Sequence, residues 1–139
     1  MKTIEIAYDY VFYTIYRFWE KVPSRWWSDW KAVITICFLL FFAMSSILNT
    51  SIYACKIDLV PETKFLTIII GLIIYGLNYY YFLYKDKWRG RILKFKSLNK
   101  RVDRIGVCFV IFSSIIIIIS LIYSCHLLSI VDWQNLKRF

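Results

Sequence analysis

The sequence predicts an all-α integral membrane protein, a single polytopic domain covering residues 1–139 with three transmembrane helices. Three apolar runs, at 32–53, 65–84 and 105–130, contain no Asp, Glu, Lys or Arg. The chain is 60% hydrophobic and 20% aromatic, more apolar than the ~45–50% typical of soluble domains. As a helix, the run 105–130 would be about 39 Å long, which exceeds the ~30 Å hydrocarbon core of a bilayer. Because all three runs are continuously apolar, they do not fit the alternating strands of a membrane barrel.

The segment before the first run, 2–20, is predicted to be an amphipathic helix. Apolar residues recur there at helical spacing, and the charged residues fall mostly on other faces: the stripe holds Ile4, Ala7, Tyr8, Val11, Phe12, Ile15, Tyr16 and Trp19. Such a helix could lie at the lipid headgroups, or it could pack on the protein's own cytoplasmic face. The pattern leaves both placements open.

Aromatic residues cluster at the predicted ends of the first two runs, where indole and phenol rings favour the membrane–water interface. The predicted interface residues are Trp26, Trp27, Trp30, Tyr79, Tyr80, Tyr81, Tyr84 and Trp88. We expect them to set the depth of the helices.

The segment 85–104 between the second and third runs carries nine basic and two acidic residues. The residues Trp88, Ile92, Phe95, Leu98 or Asn99, and Val102 recur three to four positions apart, which predicts a basic amphipathic loop helix on the cytoplasmic membrane surface. The predicted contacts with anionic lipid headgroups are Arg89, Arg91, Lys94, Lys96, Lys100 and Arg101. Alternatively, these charges only hold the loop in the cytoplasm. Nucleic acid is not an expected partner.

The charge distribution predicts the orientation. Fourteen of the eighteen basic residues precede the first run or lie in 85–104, and three spans place these two segments on the same side. The positive-inside rule then predicts a cytoplasmic N-terminus and an external C-terminus, in a bacterial inner (plasma) membrane.

Four cysteines fall near the ends of the first and third runs. Cys55 and Cys125 are expected at similar depth on the external side, where they could form a disulfide if that side is oxidising. Cys37 and Cys108 are predicted to be packing residues.

The sequence offers no pattern typical of catalysis. The apolar runs hold no acidic or basic side chain, His126 stands alone, and metal-ligand pairs, carboxylate pairs and phosphate-binding glycine loops are missing. No catalytic residue, metal or cofactor is therefore expected. The predicted function is non-enzymatic contact with a protein partner, as an accessory, immunity or assembly subunit. The alternative is a holin-like pore- or channel-forming oligomer, built by self-association through polar positions of the first and third runs.

Overall fold

The computed structural model describes residues 2–23, 26–58, 64–132, 134 and 137–138. Among these residues the regular structure is helical except for one pairing of two-residue strands, and three helical stretches are long and apolar enough to cross a membrane: Ser28–Cys55, Phe65–Lys96 and Lys100–Ile130. This confirms the prediction of three such helices. The α-helices are α1 (Lys2–Lys21), α2 (Ser28–Cys55), α3 (Lys64–Asn78), α4 (Lys87–Lys96) and α5 (Lys100–Ile130).

Helix α2 lies between α3 and α5, and its contact with α5 is the more extensive of the two. Small polar side chains join the two helices, because the Ser46 and Ser120 hydroxyl oxygens lie 2.6 Å apart and Asn49 Nδ2 donates to Ser124 Oγ at 3.4 Å. Beyond these helices, Ile57–Asp58 (β1) pairs in parallel with Lys137–Arg138 (β2). The segment after α2 and the tail after α5 therefore lie at the same end of the bundle.

The second apolar run changes helical geometry before it ends. After α3, a π-helical turn at Tyr79–Leu83 and a 3₁₀ turn at Tyr84–Asp86 lead into α4. Lys85 and Asp86 have left-handed φ values of 55° and 54°, a conformation that costs ~1–3 kcal/mol for a residue other than glycine. The chain bends at this point, and α4 packs against α1.

The segment 85–104 therefore contains more than one element. It contributes α4, a short break, and the first turn of α5, whose N-terminus is capped where the Asn99 side chain accepts a hydrogen bond from the Arg101 backbone N–H at 3.3 Å. Helix α5 thus begins five residues before the apolar run it contains.

Helix α1 packs on the bundle at the end where α4 lies, with α2, α4 and α5 all in contact with it. The main cluster of buried residues lies at this junction and consists of Phe12, Tyr13, Ile15, Ala32, Val33, Ile36, Phe82, Leu83, Ile92 and Phe95. By contrast, most large apolar side chains of α3 and α5 are exposed on the outer surface. One side of α1 therefore packs on the protein, and contact of its exposed side with lipid headgroups stays a prediction.

Candidate functional site

A polar and aromatic cluster fixes α1 on the bundle, and its most buried charge is Asp9, which is 5% exposed. Arg91 Nη1, on α4, donates to Asp9 Oδ1 at 2.5 Å. The Arg91 guanidinium carbon also lies 3.8 Å from the centre of the Tyr81 ring. The buried carboxylate is neutralised by this cation, which is itself held against an aromatic face.

A second ion pair joins α1 to the first turn of α5. Arg17 Nη1 donates to Asp103 Oδ2 at 2.5 Å, and this hydrogen bond raises the pKa of the Arg17 guanidinium. The Tyr10 hydroxyl lies 2.9 Å from the backbone carbonyl oxygen of Asp103 and 3.1 Å from the Asp103 carboxylate oxygen Oδ1. Burial is the main cause that raises the pKa of the Tyr10 phenol, and the neighbouring Asp103 carboxylate raises it further. Asp103 thus holds two residues of α1.

A third contact ties α1 to the end of α3. The Tyr8 hydroxyl donates to Asn78 Oδ1, and the Asn78 amide donates to the Ile74 carbonyl oxygen at 2.8 Å. Burial raises the pKa of Tyr8 to about 12. One turn along α1, Phe12 stacks on Phe82 of the π turn, with ring centres 4.2 Å apart. We call the set Tyr8, Asp9, Tyr10, Arg17, Asn78, Arg91 and Asp103 the α1 docking cluster.

The docking cluster joins elements that are distant along the chain. Its polar side chains bond to one another across α1, α3, α4 and α5, so its evident role is to hold α1 in one position. Within the part of the chain that the structure describes, no group of three or more His, Cys, Asp or Glu residues could hold a metal ion.

The predicted interface aromatics occupy two kinds of position. Trp26, Trp27, Tyr80 and Tyr84 are exposed, and Trp30 packs on Tyr79 with ring centres 5.5 Å apart. Tyr81 and Trp88 instead face α1. Their ring centres lie 5.8 Å from Tyr8 and 5.3 Å from Tyr16, respectively.

The predicted lipid-contacting cations fall into two groups, exposed and paired. Five are exposed, namely Arg89, Lys94, Lys96, Lys100 and Arg101, whereas Arg91 is engaged by Asp9. The apolar stripe of α4 is covered as well, because Ile92 and Phe95 are buried and Phe95 packs on Tyr10. The stripe expected to face the membrane surface faces α1 instead, since the aromatic residues of α1 offer it a closer apolar surface.

The possible bridge between Cys55 and Cys125 is absent from the structure, where all four thiols are free. The α2–α5 register explains this, because Asn49 Nδ2 lies 3.7 Å from Cys125 Sγ. Cys55 lies six residues further along α2, which corresponds to about 9 Å of helix rise. Disulfides require Cα atoms within about 7 Å.

Sequence reasoning missed most of the docking cluster, because it placed the charged residues of 2–20, Asp9 among them, mostly on faces other than the apolar stripe. One signal was present: Asp9, Tyr13 and Arg17 are spaced four residues apart and share one face of α1. Asp103 is likewise one of only two acidic residues in the basic segment 85–104. No local pattern indicates that these residues pair across the chain.

Comparison with protein-family models, with curated proteins and with solved structures finds no match.

Proposed function

We propose that this chain is a non-enzymatic integral membrane protein that acts through contact with another membrane protein, as an accessory, immunity or assembly subunit. The observation that carries this proposal is the polar seam between α2 and α5. Ser46 and Ser124 are 5% and 1% exposed, and they bond across the seam to Ser120 and Asn49. A pore built by self-association through these positions would need them to face a second copy of the chain, whereas here they face each other within one copy.

The α2–α3 side of the bundle offers a surface for a partner helix. A groove of about 370 Å³ runs between these helices, and its small lining residues Thr67 and Gly71 lie four positions apart. A Cβ atom at Gly71 would meet nothing within 4 Å. Close helix–helix contact in membranes depends on such small residues, because they let two backbones approach. The proposed occupant is a transmembrane helix of the partner.

The proposed orientation places α1 and α4 in the headgroup region of the cytoplasmic leaflet of a bacterial inner membrane, with the C-terminus outside. The exposed cations of α4 and of the first turn of α5 would then contact anionic lipid, at ~1 kcal/mol for each Lys or Arg near the surface. A reporter fused before Lys2 should be active in the cytoplasm and one fused after Phe139 outside. The reverse pattern would refute this orientation.

Two variants test the partner site. Gly71→Trp fills the α2–α3 groove, whereas Gly76→Trp adds the same side chain on α3 at a position that does not line it. A photocrosslinker at Ile68 should capture one defined membrane protein in cells with the unaltered or the Gly76→Trp chain, and lose it with Gly71→Trp. Equal capture by all three chains would refute the proposal that the partner helix binds in this groove.

Reconstitution tests the pore alternative. The purified chain in phospholipid vesicles should release no trapped dye and show no ion conductance. Reproducible flux that Ser46→Leu abolishes would favour the pore and contradict the accessory role.

A further inference from the structure

A second groove lies between α1 and α5, away from the α2–α3 side. It has a volume of about 460 Å³ and is bounded on α5 by the face from Val107 to Ile118. That face is about 16 Å long at 1.5 Å per residue, close to the hydrocarbon thickness of one leaflet, which is half of ~30 Å. Its remaining lining residues come from the C-terminal half of α1 and from Thr35 of α2.

The end of the groove at α1 is basic and the rest is apolar. Arg17 and Lys21 line it there, and the ammonium of Lys31 lies 5.4 Å from the centre of the Trp19 ring, which also lines the groove. Further along, Ile111, Ile115 and Ile118 are each about half exposed. A phospholipid has the same division, with an anionic head and ester oxygens at one end and hydrocarbon at the other.

We propose that the α1–α5 groove is a binding site for one anionic phospholipid. An acyl chain occupies the face from Val107 to Ile118, and the phosphate lies at Lys21. The site needs the three helices to lie in a membrane but does not depend on the partner contact proposed above. Because α2 separates α5 from α3, each proposal can fail without the other.

The test measures lipid retained by the full-length chain in mild detergent, by native mass spectrometry with added phosphatidylglycerol. Ile111→Trp places a large ring in the groove, and Ile116→Trp places the same ring on α5 outside it. These two isoleucines are 53% and 49% exposed, so neither change enlarges a buried side chain. One phosphatidylglycerol per chain should remain with Ile116→Trp and be lost with Ile111→Trp.

A smaller change tests the polar contact. Lys21→Gln should remove the preference for phosphatidylglycerol over phosphatidylcholine. Equal retention by Ile111→Trp and Ile116→Trp would overturn the site, and equal binding of the two lipids by the unaltered chain would overturn its anionic specificity.

Discussion

The Tyr10 ring of α1 lies directly against Gly106 of α5. A Cβ atom at position 106 would stand 2.6 Å from Tyr10 Cε1 and closer still to the Tyr10 hydroxyl oxygen. Glycine at this position therefore lets α1 approach α5 closely enough for Tyr10 to bond to Asp103. The position of the Tyr10 ring, and with it the Tyr10–Asp103 contact of α1, depends on this one missing methyl group.

Gly106→Ala should displace α1. Overpacking of this kind costs ~1–3 kcal/mol, so trypsin cleavage after Arg17 should become faster in the detergent-solubilised protein. Gly76→Ala is the matched control, since a Cβ atom there meets nothing within 4 Å and alanine favours the helix by ~0.5–1 kcal/mol. Equal protection of Arg17 in both variants would show that the Tyr10–Gly106 contact does not control docking.

Breaking the buried Asp9–Arg91 ion pair should destabilise the protein more than Gly106→Ala does. Asp9→Asn leaves Arg91 without its carboxylate, which should lower the free energy of unfolding by ~3–5 kcal/mol in detergent denaturation. The double variant Asp9→Leu with Arg91→Met should recover most of that loss, because no charge then remains buried. Arg17→Gln is a control at the more exposed pair, where side-chain exposures of 36% and 19% predict ~0–1 kcal/mol.

Alkaline pH should weaken docking. The pKa of Tyr8 rises from 10.0 to about 12 on folding, so the neutral phenol is the form that the docked state favours. Its stabilising contribution is complete below pH 10 and is lost as the pH rises towards 12. Tyrosinate absorbance should show a late-titrating component, and Tyr8→Phe should reduce it by one tyrosine, because the pKa values of Tyr10 and Tyr16 are raised as well. An unchanged titration curve in that variant would contradict the burial of Tyr8.

The α2–α5 register can be tested with engineered cysteines. In a chain whose native cysteines are replaced by alanine, Ser46→Cys with Ser120→Cys should form an intramolecular disulfide on mild oxidation, because the two hydroxyl oxygens are 2.6 Å apart. Ser51→Cys with Ser120→Cys should not, since five residues displace it by about 7.5 Å along α2.

The same register predicts that Cys55 and Cys125 remain unpaired. Both are exposed, so a thiol reagent should label them on unreduced membranes. Labelling that requires reductant would mean that α2 and α5 slide relative to each other.

The three long helices could be predicted from the sequence because the reason for them is local. Runs of twenty or more residues without an acidic or basic side chain have few places to be buried, and in lipid a helix satisfies its own backbone hydrogen bonds. The segment 2–20 was also predicted as a helix from its spacing, and α1 extends through Lys21. Neither inference requires knowledge of what the helix touches.

Only the tertiary structure decided what the amphipathic faces contact. The apolar stripes of α1 and α4 are each compatible with lipid, and their burial against one another depends on the bend at Lys85 and Asp86. Asp9 and Arg91 are 82 positions apart, so nothing local shows that a charge on α1 meets its partner on α4. Hydropathy determines how deep a segment lies in the membrane, but the rotation of a helix is determined by close packing, which depends on pairs of residues distant in sequence.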